Sequence, residues 1–231
     1  MKKIIKYLTP ALCLFVLASC SSNSNANNKS NKEEIDYSDD ANYQVTDEEF
    51  RNMYNISGDY SVVYKLSSDN GSSVSIPFET LTFKKDNNKM ILEHEYPTYP
   101  SSNYIYYSIT NVDSTTSTVK YEDSSYSKIL FSDISTIIPK STSYISMDNI
   151  IDNKTFDSKS NMYKVNDYLY MTDINLDMCF KFEEKKLVYY EMKTKYKNLS
   201  SSIVKVNFSY DDQIVTIPAD ALQLLNGNVL R

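Results

Sequence analysis

Apolar and polar positions alternate with a period of two along most of the chain beyond residue 60. Tyr60, Val62, Tyr64 and Leu66 interleave with Ser61, Val63, Lys65 and Ser67. After the turn Asp69-Asn70-Gly71-Ser72 the alternation resumes at Val74, Ile76 and Phe78. Such a pattern sends successive side chains to opposite faces of a strand, one toward a core and one toward solvent. The apolar phase then shifts to Leu81 and Phe83, which predicts a bulge or bend near Pro77. Further strands are predicted at residues 90–92, 104–109 and 119–121. A second set follows at 162–165, 169–174, 178–182, 187–196, 204–210 and 214–217, where Pro218 stops it. The short polar turns between these runs favour antiparallel hairpins over crossovers.

Four stretches read as helical rather than as strand. Thr46-Asp47-Glu48-Glu49 matches a capping box, with Thr46 at the N-cap and Glu49 three residues on. Phe50, Met53 and Tyr54 follow on one helical face, and Ser57-Gly58 reads as the stop. Leu130, Ile134, Ile137 and Ile138 fall at helical spacing within 126–138, and a second short helix is predicted over 144–151. A closing helix or half-turn fits 219–225. The expected architecture is α+β and mostly β. It is a curved, half-barrel-like antiparallel sheet, with one N-terminal helix and short middle helices packed on one face, in a single globular domain spanning residues 45–231.

The first twenty residues follow different rules. Three lysines in Met1-Lys2-Lys3-Ile4-Ile5-Lys6 precede an uncharged, mostly apolar run from Tyr7 to Ala18. That order is a secretory signal peptide. A spanning helix needs about 20 apolar residues to cross about 30 Å of hydrocarbon. This run is shorter and contains Pro10. It ends in Leu17-Ala18-Ser19-Cys20, which resembles the lipobox of bacterial lipoproteins. The resemblance implies cleavage between Ser19 and Cys20, removal of residues 1–19, and a diacylglyceryl group on the Cys20 sulfur. The partner so implied is the membrane, and the location is the outer face of the cell membrane. Two acyl chains at about 0.8 kcal/mol per buried CH₂ make such an anchor long-lived.

Residues 20–44 then read as a lipidated flexible tether. The stretch from Ser21 to Asn42 holds almost no apolar residue besides Ile35 and Tyr37 and cannot bury enough surface to fold. Its root-mean-square reach is about 25 Å.

Charge and cysteine content narrow the picture. The chain holds 24 basic and 30 acidic residues, and the leader removes three lysines and no acid, so the chain from Cys20 onward carries a net charge of −9. Nucleic acid is excluded as a partner on that ground, because affinity for phosphate backbones comes from clustered Lys and Arg. No polybasic run is present. With Cys13 in the leader and Cys20 lipidated, Cys179 is the remaining thiol, so the fold relies on its core rather than on a disulfide. Twenty-one tyrosines and no tryptophan admit a tyrosine-lined sugar or peptide site. Half-buried strands account for them more simply.

Within the globular part, Phe156-Asp157-Ser158-Lys159-Ser160-Asn161-Met162-Tyr163, the run Phe180 to Val188, and Ile214-Val215-Thr216-Ile217-Pro218 resemble uncharacterised lipoproteins of low-GC Gram-positive bacteria and their wall-less relatives. Their sheets are similar to the half-barrel of lipoprotein-carrier proteins. The resemblance implies a concave sheet face able to hold a lipid or another amphiphile. Lys185-Lys186 stands where the second turn of those proteins usually has glycine.

Candidates for chemistry are few. His94 is the single histidine, in phase with Met90, Leu92 and Tyr96. It reads as a general base or metal ligand, or as a satisfied histidine on a strand. The second reading is preferred, because acid–base work needs a partner the sequence does not place. Cys179 lies mid-strand between Met178 and Phe180 and reads as a small buried hydrophobe rather than a nucleophile. Asp173, Asn175, Asp177 and Glu184 match four positions of a calcium loop, but Met178 stands where the sharp turn requires glycine. No cofactor, metal or catalytic residue is expected. The function expected is a membrane-anchored, non-enzymatic binding or interaction module, with an amphiphile in the concave face as the candidate ligand. The alternatives are a surface-interaction lipoprotein without a small ligand, and a hydrolase whose His94 would need an acid and a hydroxyl in one pocket.

Overall fold

The structure, a computed structural model, describes residues 44–69, 75–130, 133–169, 174–196 and 201–227. Ser19, Cys20, the tether up to residue 43 and Asp173 lie outside them. Eleven antiparallel strands form one open, curved sheet. The first meander is β1 (Tyr60–Asp69), β2 (Ile76–Asp86), β3 (Lys89–Glu95), β4 (Tyr104–Thr110), β5 (Thr116–Glu122) and β6 (Ser125–Ile129). The second is β7 (Thr155–Asp157), β8 (Met162–Leu169), β9 (Ile174–Glu183), β10 (Lys186–Tyr196) and β11 (Ser201–Ser209). The strand order is β6-β5-β4-β3-β2-β1-β11-β10-β9-β8-β7. The first and last strands therefore meet in the middle, with Val62 opposite Phe208 and Tyr64 opposite Val206.

Local signals place the hairpins. The phase change near Pro77 is a bulge: Leu66 pairs with Glu79 and Ser67 with Pro77, which leaves Phe78 as the extra residue. Two hairpins turn on pairs of residues in the left-handed region, Asp123-Ser124 and Glu184-Lys185. A two-residue hairpin turn of this kind matches the twist of its strands but favours Asn or Gly. Glu184 and Lys185 occupy it at a cost, and the Lys185 ammonium is tied to the Glu49 carboxylate at 2.7 Å.

One face of the sheet is roofed. The connection between β6 and β7 spans the full width, because those strands are opposite edges. Its described parts are 3-10 turns at Ile134–Ile137 and Ser141–Ser143 and the helix α2 (Met147–Asn153). Ile134, Ile138, Ile145, Ile150 and Ile151 point from it into the core. The helix α1 (Asp47–Arg51) completes the roof. Its capping box is formed: Thr46 Oγ1 accepts from the Glu49 amide and the Glu49 carboxylate accepts from the Thr46 amide. Phe50, fully buried, stands on Tyr163, Phe180 and Phe182 at ring separations of 5.1–5.4 Å. Burying such a ring contributes about 1.5–3 kcal/mol.

Buried phenols strap the roof to the sheet and its two parts to each other. The Tyr190 hydroxyl donates to the Pro139 carbonyl at 2.6 Å. The Tyr54 hydroxyl accepts from the Ser141 amide at 2.9 Å and lies 2.7 Å from its Oγ. Beside α1, the Val45 amide donates to the Tyr163 hydroxyl at 2.8 Å.

Two sequence expectations are corrected. The helical spacing over 126–138 is not a helix, because residues 125–129 form the edge strand β6 and only Ile134–Ile137 turn. Short apolar runs fit both periods, and strand pairing with β5 decides this one. Residues 214–217 join no strand. Val215 and Ile217 are instead buried side by side, and the Val215 amide donates to Asp86 at 3.2 Å. The N-terminal and middle helical segments pack on one face, and the closing helix lies on the other. The helix α3 (Ala219–Leu225) packs with Val215 and Ile217 over Tyr107 and Val119, which face away from the roof.

The phenol straps carry a pH dependence. Burial pushes the Tyr54 phenol up to about 12, against the opposing pull of its Ser141 bonds. Burial raises Tyr210 to about 12 as well, helped by Tyr60. A folded value above the unfolded value of about 10 means the fold favours the neutral phenol. That stability is complete below pH 10 and is lost as pH rises through 12. The protein is expected to unfold cooperatively in that window, with phenolate absorbance of the buried tyrosines appearing together with loss of far-ultraviolet dichroism. A single titration of all tyrosines near pH 10 with the fold intact would contradict this.

Candidate functional site

His94 lies on β3 beneath the roof, 4% exposed. The pairing registers place it opposite Leu81 of β2 and Tyr104 of β4. From β2, the Glu79 carboxylate reaches diagonally to it, with Oε1 2.5 Å from His94 Nε2. The approach is close but off the axis of a hydrogen bond. On the other side, Nδ1 contacts the Tyr104 hydroxyl. The ring is served when Tyr104 donates to Nδ1 and the Nε2–H faces Glu79. Tyr96 stacks on the imidazole at 4.2 Å, and the Tyr104 ring meets it edge-on at 4.5 Å. Burial, then Tyr106, Tyr96 and Glu79, push the Tyr104 phenol far up. The Lys120 ammonium sits 4.5 Å above the Tyr104 ring and pairs with Glu122 at 2.6 Å.

His94 thus has an acid and a hydroxyl, as the hydrolase alternative required. The hydroxyl is a phenol that burial keeps protonated, and the side chains are packed ring against ring. A cavity of about 70 Å³ lies at the other end of the strands, where β1 begins and β11 ends. Tyr54, Tyr60, Ile138, Pro139, Lys140 and Phe208 line it. It has room for a few waters, each needing about 30 Å³. Ligand pockets span about 300–1,000 Å³.

The remaining candidates are not brought together. Cys179 alternates with Met178 and Phe180, so it lies on the unroofed face and is half-buried. The small buried hydrophobe expected there is therefore corrected: the strand period turns Cys179 away from the core. Five strands, β10, β11, β1, β2 and β3, separate β9 from the Tyr104 hydroxyl on β4. Asn175 and Asp177 lie along β9 instead of wrapping into a loop, and Glu184 is in the β9–β10 turn. Glu79 and Tyr104 were missed as partners of His94. Tyr104 could have been found from the β3–β4 register, but Glu79 depends on the bulge at Phe78.

The end of the sheet that holds His94 also carries three of the six exposed large apolar residues among the described ones. Ile76 and Phe78 open β2, and Tyr99, 69% exposed, tops the 96–103 loop. Val45 docks at the opposite end, beside the Glu184-Lys185 turn.

No family model matches the chain, and no curated protein matches it. Among solved structures it is similar to the crystal structure of the lipoprotein LppX of Mycobacterium tuberculosis. The identity is 11% and the TM-score 0.26, over 74% of this chain and 97% of that one.

The Tyr104 contact is testable. Tyr104→Phe leaves the buried imidazole without a partner on Nδ1, and should cost about 1–3 kcal/mol in urea unfolding. Tyr99→Phe, at an exposed ring, should stay within about 0.5 kcal/mol. Equal effects would remove the imidazole–phenol contact from the account.

Proposed function

We propose that this chain is an extracytoplasmic lipoprotein, held at the outer face of the cell membrane by diacylglyceryl on Cys20, with residues 45–231 acting as a non-enzymatic interaction module. The anchor rests on Leu17-Ala18-Ser19-Cys20 after a short apolar leader. The observation that carries the second half is the filled face under the roof. Phe50, Phe83, Leu92, Ile150 and Phe180 are fully buried there, and the cavity nearby is about 70 Å³. An acyl chain would need the roof to lift, against the bond of Tyr190 to Pro139 and that of Val45 to Tyr163. The geometry therefore favours contacts made by outer surfaces over an amphiphile enclosed in the sheet. His94, walled in by Glu79, Tyr96 and Tyr104, serves the packing of three strands.

Fractionation of a bacterial host expressing the chain tests the anchor. The wild-type chain should sediment with membranes, and its N-terminal peptide should begin at Cys20 with the mass of an added diacylglyceryl group. Cys20→Ser should release it to the soluble fraction with an unchanged melting temperature. A wild-type chain with a bare thiol and the leader attached would overturn the reading. Native mass spectrometry of the released variant should show no bound amphiphile. A stoichiometric one would overturn the filled-face argument.

A further inference from the structure

The two edges of the sheet are unequal. β7 is three residues long, whereas β6 runs for five, Ser125–Ile129, beside α3. The two-residue turn Asp123-Ser124 fixes how β6 is bonded. Glu122 and Ser125 flank that turn and form the first hydrogen-bonded pair of the hairpin. Pairs of this kind alternate along antiparallel strands. Ser125, Ser127 and Ile129 therefore turn their backbone groups toward β5, and Tyr126 and Lys128 turn theirs outward. Among the described residues nothing bonds to the outward groups. Such a row of unpaired groups is a template for another strand.

The side chains of this edge complement one another in charge. Tyr126 and Lys128 stand on the α3 side, because Tyr121 and Val119 opposite them belong to the cluster under α3. The Tyr126 ring lies 4.7 Å from that of Tyr121. Burial, then Tyr121 and Asp220, push the Tyr126 phenol up, so the Asp220 carboxylate in the first turn of α3 lies within electrostatic reach of that hydroxyl. Lys128 and Asp220 are both exposed, and neither forms an ion pair among the described residues. The other side of β6 carries Ser125, Ser127 and Ile129, none of them charged.

We infer that β6 pairs with the β6 of a second copy of this chain, antiparallel and centred on Ser127. A register centred on Lys128 would set ammonium against ammonium, which is destabilising. One centred on Tyr126 would set Lys128 against Ser124, which is in the turn. Centred on Ser127, each Tyr126 stands opposite the other copy's Lys128. Both residues point their backbone groups outward, so four hydrogen bonds form, and each Lys128 ammonium comes to the other copy's Asp220. An edge lysine that repels most strands is thereby matched to this one. The two-fold axis stands perpendicular to the sheet, which keeps both roofs on one side. Val45 packs with the roof-side core, so both tethers leave toward the same bilayer. The inference rests on the proposed lipid anchor for that last point alone. An edge of five residues makes a small interface of the transient class, and two copies anchored in one membrane meet at raised local concentration.

The test uses the chain from residue 20 onward with Cys20→Ser and Cys179→Ser, so that an introduced cysteine is its only thiol. In the proposed pair the two Ser127 Cα atoms lie about 4.5 Å apart, within the span of a disulfide. The two Ser125 Cα atoms, equally exposed, are offset along the strands by about 13 Å. Under a copper–phenanthroline oxidant, Ser127→Cys should link into a dimer at least about tenfold faster than Ser125→Cys. Adding Lys128→Pro removes an outward amide and leaves the β5 ladder intact. It should slow the Ser127→Cys link at least about tenfold, because two of the four bonds are lost. Lys128→Asp should slow it too, and Lys128→Asp with Asp220→Lys should restore it. Thermal melting checks that each variant folds; if Lys128→Pro does not, the charge exchange decides. Equal linking of Ser127→Cys and Ser125→Cys, or no rescue by the charge exchange, would overturn the proposal. So would a Ser127→Cys chain that links to other envelope proteins of the host and not to its own copy. A lipidated Cys20 in the host with no linked dimer would leave the anchor standing and remove only this pairing.

Discussion

The pairing of β1 with β11 is the constraint on which the rest of the structure depends. Without it the chain is two separate antiparallel meanders, each with one apolar face and two open edges. With it, both faces become one surface, and the roof has something continuous to cover. Val62, Tyr64, Val204 and Val206, all buried, meet across this seam. The contact is also the most expensive to reach, since Lys65 and Lys205 lie 140 positions apart. Closing a loop of that length costs entropy before any contact returns it. Folding of this sheet should accordingly be slow for its size.

The roof follows from the topology. The meanders end at opposite edges, so the link between β6 and β7 has to traverse the sheet. It crosses over the apolar face and fills it with isoleucines. The tyrosines answer from below, giving hydroxyls to backbone groups that would otherwise be buried without partners. This arrangement leaves little space inside. It moves the search for function to the outer surfaces, among them the exposed apolar residues beside the 96–103 loop.

Much of the fold was legible because it is local. The capping box at Thr46 and Glu49, the phase shift that makes Phe78 a bulge, and the turn at Glu184-Lys185 are each written in a few adjacent residues. What failed was short and apolar. Residues 126–129 fit a helix or a strand, and pairing with β5 settled them. Residues 214–217 look like a strand, yet they pair with none and bury Val215 and Ile217 beside α3. The site features were illegible for a different reason. Glu79 meets His94 only once the bulge has set the register. Alternation shows which way each side chain points. It does not show which strands are neighbours.

Native-state amide hydrogen exchange on β1 and β11 measures the seam directly. The amides of Val62, Tyr64, Val204 and Val206 should exchange only through global unfolding, with the same free energy as urea unfolding, while those of the edges β6 and β7 exchange through smaller openings. Exchange along the seam that is faster than within the two meanders would show that the halves hold themselves together without it, and would contradict the account.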